Sequence, residues 1–188
     1  MRVVSAGALA ALLTLTAVPA RADGFITPYI GFNFGGDSTN CTALNNCEEK
    51  RTNWGVTIGA THGIFGFQED IGYAPDFFGK TPGTDNAVLH LMSDLMILVP
   101  AGPIQPYGFI GIGLIHPHAS FDVANLSSVS KNALGHDLGG GLNIFFTHGV
   151  GVHGEVRHLR TFKDFTFPGF NSDKLDFWRA SAGMTFRF

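Results

Sequence analysis

A serine beside a histidine can carry acyl hydrolysis when an acid orients the imidazole, and His118-Ala119-Ser120 supplies the first two groups. The acid is missing. No Glu occurs between Glu69 and Glu155, and the tripeptide lies in a stretch rich in Ser and Pro, where such combinations arise by chance. The sequence has no Gly-x-Ser-x-Gly elbow, phosphate loop or His-Glu-x-x-His motif. Eight histidines raise the question of a metal. His116 and His118 point the same way on an extended chain, with His136 across the following loop, which suits weak transition-metal binding at an open surface. His62 and His148 fall in turns at the opposite end, and His90 and His153 on an inward face, so the eight do not converge. We therefore expect no catalytic residues, no cofactor and no metal. A third group is electrostatic. His90, Asp94, Asp137, His153, Glu155, Arg157 and Arg179 each lie in stretches that alternate with apolar residues, so they collect on one face, where charges must find partners.

The elements that position these residues follow a leader. Met1-Arg2 is a short basic start, residues 3–18 are nearly all apolar, and Pro19-Ala20-Arg21-Ala22 ends in a small-x-small pattern. This reads as a signal peptide over 1–22, leaving 23–188 as one domain. The apolar run, about 16 residues, is short of the roughly 20 that a membrane-spanning helix needs. Without Arg2 and Arg21, ten basic residues face fifteen acidic ones, a net charge of −5 with His neutral. With no basic stripe, nucleic acid is not expected as a partner. Export also passes the chain through an oxidising compartment. Cys41 and Cys47, separated by five residues in a polar stretch without further ligands, are therefore expected to form a disulfide rather than a metal site.

The chain holds 18 Phe and 25 Gly, and its mean hydropathy is above zero, yet no apolar run in 23–188 is long enough for a helical span. Alternation explains this, because lipid-facing strands raise the average without a continuous run. Eight strands of about ten residues are expected, near 25–35, 53–61, 66–74, 86–99, 105–115, 134–146, 150–162 and 177–188. Ile30, Phe32 and Phe34 oppose Tyr29, Gly31 and Asn33 in the first; Trp178, Ala180, Ala182, Met184, Phe186 and Phe188 oppose Arg179, Ser181, Gly183, Thr185 and Arg187 in the last. Strand three is the least regular, because Glu69 falls in phase with Phe67, Ile71 and Tyr73; a bulge or a position near the membrane rim would resolve the conflict. Short turns at 62–65, 100–103 and 147–149 alternate with long polar stretches at 37–52, 75–85, 116–132 and 163–174. The fold class is thus all-β, an eight-stranded antiparallel up-and-down transmembrane β-barrel with short turns periplasmic and long loops outside. A soluble lipocalin-like barrel would bury the apolar faces and leave Asp94, Asp137, Glu155 and Arg157 outside, the opposite of what a lumen of Gly, Asn, Thr and charges implies.

Phe25-Ile26-Thr27-Pro28-Tyr29-Ile30-Gly31-Phe32, Pro106-Tyr107-Gly108-Phe109-Ile110-Gly111-Ile112-Gly113, Gly139-Gly140-Gly141 and the terminal Thr185-Phe186-Arg187-Phe188 resemble the bacterial outer-membrane β-barrel-domain proteins, small single-barrel relatives of the porin-like families. The resemblance covers nearly all of 23–188 and implies outer-membrane localisation, contact with outer-membrane lipid and lipopolysaccharide, and recognition of the C-terminal strand (Met184, Phe186, Phe188) by the barrel-assembly machinery. It specifies fold well and activity hardly at all.

Centring strands six and seven on turn residue His148 brings Gly139 opposite Arg157, Gly141 opposite Glu155 and Asn143 opposite His153, with Arg179 at the level of Arg157. A similar alignment places His90 and Asp94 near 111–113. The expectation is a satisfied polar core that fills the lumen, in which losing Arg157 strands Glu155, so that replacing Glu155 as well recovers part of the stability. The leading functional expectation is a structural, surface-presenting monomer whose long loops contact envelope or external partners. A small passive ion channel is the alternative, and a lipid A-modifying enzyme comes third. The loop disulfide gives the first test. Because it closes a short loop, it should contribute only about 2 kcal/mol, and Cys41 and Cys47 should resist thiol labelling on intact cells until a reductant is added; two freely reactive thiols would show that they are unpaired.

Overall fold

The computed structural model describes residues 23–38, 51–80, 84–121, 129–130, 132–163, 165–167, 170–172 and 174–188. The leader at 1–22 and the pair Cys41 and Cys47 lie outside them. Eight long strands make the barrel: β1 (Asp23–Phe34), β2 (Thr52–His62), β3 (Phe65–Pro75), β4 (Thr84–Leu98), β5 (Ile104–Phe121), β6 (Ala133–Phe145), β7 (Val150–Thr161) and β8 (Asp176–Arg187). Each pairs antiparallel with its neighbours in sequence, and β1 pairs with β8 to close the sheet. In hydrocarbon no water satisfies backbone N–H and C=O groups, so a sheet can cross only if it has no edge. The seam meets that demand to the last residue: Phe188 N donates to Gly24 O at 2.9 Å, and Gly24 N donates to Phe188 O at 3.0 Å.

The stagger of the barrel follows from the register. Stepping through opposed residues from Phe186 to Ile26, Ile58, Glu69, Ser93, Ile112, His136, Arg160 and Asp176 returns to β8 ten residues from the start. With about 3.3 Å per residue and ~4.8 Å between strands, that shear tilts the strands by about 40° and gives a backbone radius of about 8 Å. Such a cylinder has room for side chains and little else.

Alternation sorts the faces as the sequence suggests. Ile30, Phe32, Trp54, Leu95, Ile110, Ile112 and Met184 are exposed on the outer wall, while Tyr29, Asn33, Asn53, Thr57, Arg157 and Arg179 are buried in the lumen. Trp54 and Tyr73 pack with tilted rings, centroids 5.5 Å apart, near the loop end of the outer wall. Three features differ from the sequence expectation. β5 runs on to Phe121, so His116 and His118 belong to a strand rather than a loop. Two of the long connections contain short ladders, one pairing 129–130 with the end of β5 and one between Phe165–Phe167 and Phe170–Ser172. The irregularity at Glu69 is neither a bulge nor a rim position: the ladders of β3 with β2 and β4 run unbroken, Glu69 points outward at mid-strand, and Ser93 Oγ on β4 lies 2.8 Å from both its carboxyl oxygens.

Phe188 closes the seam through its backbone and lays its ring against Gly24. Deleting it should lower the outer-membrane yield more than it lowers the stability of those barrels that do form, because the last rung registers β8 on β1 while closure is under way. Quantitative blotting of membrane fractions for the truncated and intact chains is the check, and equal yields would show that the terminal residue is incidental.

Candidate functional site

The lumen is polar at mid-height because β3, β4, β6, β7 and β8 each turn a charged residue inward at that level. Arg179, from β8, is the first hub. Its Nη1 donates to Tyr29 Oη at 2.5 Å and Asp70 Oδ2 at 2.8 Å, and its Nη2 donates to Asp70 Oδ1 at 3.1 Å and Glu155 Oε1 at 3.0 Å. His90 Nε2 lies 2.8 Å from both Asp70 Oδ2 and Arg179 Nη1. Arg157, directly opposite Arg179 on β7, is the second hub. Its Nε donates to Glu155 Oε1 at 3.0 Å, and its Nη1 to Asp94 Oδ2 at 2.8 Å and also to Asp137 Oδ2. Both guanidinium groups lie over aromatic rings, Arg157 at 4.2 Å from Phe109 and Arg179 at 4.5 Å from Tyr29. Arg suits this place better than Lys, because its flat fork reaches acids on several strands at once.

Neutral donors reach three of the carboxyl groups. Thr57 Oγ1 donates to Asp70 at 3.0 Å, Gln68 Nε2 to Asp94 at 2.8 Å, and Tyr107 Oη to Glu155 Oε2 at 2.8 Å. His153 Nδ1 lies 3.0 Å from Asn143 Oδ1 and its Nε2 is 4.0 Å from Glu155 Oε2. Above the network, toward the loops, Phe77, Val88, Met92, Ile115, Leu159, Leu175 and Phe177 form a buried apolar cluster. Below it, Phe25 from β1 packs across the lumen with Met96 and Leu98 of β4 and Tyr107 and Phe109 of β5. The ions therefore sit buried between apolar groups, where every charge needs a partner.

All seven residues singled out on the inward face line this lumen, and the opposed pairs Gly139–Arg157, Gly141–Glu155 and Asn143–His153 occur in the ladder. The glycines make room for aromatic side chains rather than for the charged residues opposite them. The space over Gly139 is taken by the Phe109 ring and that over Gly141 by Tyr107, the side chains that cover Arg157 and bond Glu155. Asp94 faces Gly111, where a Cβ would collide with both Asp94 and Asp137, but His90 does not lie near 111–113: it opposes Ile115 and fills the space over Gly72. Asp70, Gln68, Tyr29 and Tyr107 were missed as members. Period-two alternation would have found Gln68 and Asp70, which oppose Phe67 and Ile71, had Glu69 not obscured the strand.

His116 and His118 turn outward near the loop end, and His136 also turns outward, its ring 5.0 Å from that of Phe162. His118 is exposed, and the side chains of Ala119 and Ser120 lie outside the described residues. Among the described residues, no three His, Cys, Asp or Glu side chains are grouped to hold a metal ion.

A tilted, closed cylinder of eight strands with an apolar wall and a charged, filled lumen is the architecture of the outer membrane of bacteria, and the outer membrane protein beta-barrel domain profile matches residues 8–188. The chain belongs to that family. No curated protein matches it in sequence. Solved structures show the same fold: neisserial surface protein A (13% identity, 88% of this chain and 97% of that one, TM-score 0.62), OprH of Pseudomonas aeruginosa (17%, 89% and 100%, 0.59) and Ail, the attachment invasion locus protein of Yersinia pestis (11%, 89% and 98%, 0.57). The protein is thus an outer-membrane barrel.

The network also says which charges Arg157 neutralises. Without it, Glu155 keeps Arg179 at 3.0 Å and Tyr107 at 2.8 Å, whereas Asp94 and Asp137 lose their guanidinium. This corrects the expectation that Glu155 is the group left stranded. Arg157→Leu should therefore destabilise the barrel by about 3–5 kcal/mol. Adding Asp94→Asn and Asp137→Asn should recover more of that loss than adding Glu155→Gln. Denaturant titration of the variants in detergent micelles measures the order.

Proposed function

We propose that this chain is a structural, surface-presenting barrel of the outer membrane, with a lumen locked against solutes and long loops that make its external contacts. One observation carries the reading: two fully buried guanidinium groups, from β7 and β8, reach acids on β3, β4 and β6 across the mid-lumen. Five acidic or basic strands are thereby tied through their centre, and the apolar cluster around Phe77 and Phe177 covers the network on the loop side. A conducting path would need these side chains to leave one another in a layer with little water to replace the contacts. The same arrangement supports a role without catalysis, since the ionisable groups that converge are engaged with one another rather than open to a substrate.

The contacts then fall to the loops, with lipopolysaccharide, host surfaces and other envelope proteins as candidate partners, and assembly to the C-terminal strand. Two fold relatives carry surface and attachment roles in their names, which agrees with this division of labour. Planar-bilayer recording of the purified barrel is the test. Insertion without resolvable conductance steps is the expected result, and reproducible unitary steps that change in Arg157→Leu would establish the channel instead.

A further inference from the structure

Glu69 and Ser93 stand apart from the rest of the outer wall. They are directly opposed on β3 and β4, with Ser93 Oγ 2.8 Å from each carboxyl oxygen of Glu69. Around them are Ile58, Phe67, Ile71, Leu91, Leu95 and Ile112, all exposed toward lipid. Glu69 is four residues from Phe65 at the turn end and four from Tyr73, whose ring packs tilted against Trp54 at 5.5 Å at the loop end. At a tilt of about 40° each residue rises about 2.5 Å along the membrane normal, so the pair lies about 10 Å inside both aromatic borders, at the middle of the apolar band. Among the described residues, the other charged or imidazole side chains that turn outward on the strands (His62, His116, His118, His136, His158, Arg160 and Asp176) lie toward strand ends rather than at mid-strand.

An ionisable group facing hydrocarbon is costly and marks a function. When ionised, a Glu side chain is acceptor-only, with room for about four hydrogen bonds, and Ser93 has one hydroxyl hydrogen to give. What the site lacks is donors and positive charge. A second copy of this chain, inserted in the same direction, would bring another Glu69 to the same depth and so the wrong charge. We propose that Glu69 and Ser93 are a docking point for a membrane-embedded segment of a different protein that presents a lysine or arginine at mid-depth. The flat apolar surround on β2–β5 supplies the contact area, and the buried ion pair sets its register.

Site-specific photo-crosslinking in the native membrane tests this. A photoreactive side chain at Ile71 or Leu91 should capture one protein, and the same group at Val156, outward on the far wall, should not. The crosslinked peptide should be membrane-spanning and carry a mid-depth Lys or Arg. Glu69→Gln should lower the yield by roughly thirtyfold or more, the loss expected when one partner of a desolvated charge pair is removed. Its unheated band on a denaturing gel should still migrate as a folded barrel. Replacing the partner's basic residue with Glu should restore capture in Glu69→Lys. Adducts with lipid alone, with a second copy of this chain, or with a protein whose yield is unchanged in Glu69→Gln would each overturn the proposal.

Discussion

In a bilayer every backbone hydrogen bond must be made within the protein, and the sheet answers by closing on itself between β1 and β8. Much else in the molecule follows from that closure. Eight strands staggered by ten residues fix a tilt of about 40° and a backbone radius of about 8 Å. Inward residues then meet across the lumen whether or not they are close in sequence, and outward residues meet lipid. Gly24 and Phe188, at the two ends of the barrel domain, exchange both backbone hydrogen bonds, which leaves the seam without a free edge from which the sheet could open.

The narrow radius turns the charge pattern into a structural device. Asp70, Asp94, Asp137 and Glu155 converge on Arg157 and Arg179 because a cylinder of this radius brings inward side chains together at its centre. Buried pairs of this kind are weak evidence for net stability against an apolar core, but breaking one from a single side is severe, since it leaves a charge with nothing to replace its partner. The network therefore acts as a specificity lock. Slipping β7 or β8 by one residue would turn Arg157 or Arg179 into lipid and strand the acids of three other strands.

How much of this was legible in the sequence depended on whether a feature was local or needed a register. The alternation of Trp178 to Phe188 around Arg179 and Thr185 identified the last strand, and three short turns against four long stretches gave the strand number. The opposed pairs along β6 and β7 could be counted outward from His148 because that hairpin is short. The same counting puts Asp94 opposite Gly111, but His90, four residues earlier on β4, then falls opposite Ile115, beyond 111–113. Asp70 was obscured by its neighbour: Glu69 breaks the apolar face of β3, and a strand that looks irregular hides its inward residues too. The apolar cluster around Phe77, Phe177 and Leu175 could not be anticipated, because Phe77 and Leu175 lie in segments between strands and enter the lumen only once the barrel has closed over them.

The outer wall is the complementary case. Glu69 reads from sequence as a flaw in a strand, and only its depth and its pairing with Ser93 give it meaning. On the inner wall Asp70, Asp94, Asp137, Glu155, Arg157 and Arg179 are gathered into one layer, and Arg187 at the turn end donates to Gln105. That difference separates residues that hold this barrel together from residues that face whatever lies beside it.

Nitrogen-15 NMR of the barrel in micelles would report on the dry, paired lumen most directly, through the exchange of the Arg157 Nε–H that donates to Glu155. A resolved Arg157 side-chain resonance that exchanges far more slowly than a free guanidinium, and that loses its protection in Arg157-neighbour variants such as Glu155→Gln, is what this account predicts. Exchange of that proton with solvent at the rate of a free arginine would contradict it, and would mean that water reaches the middle of the barrel.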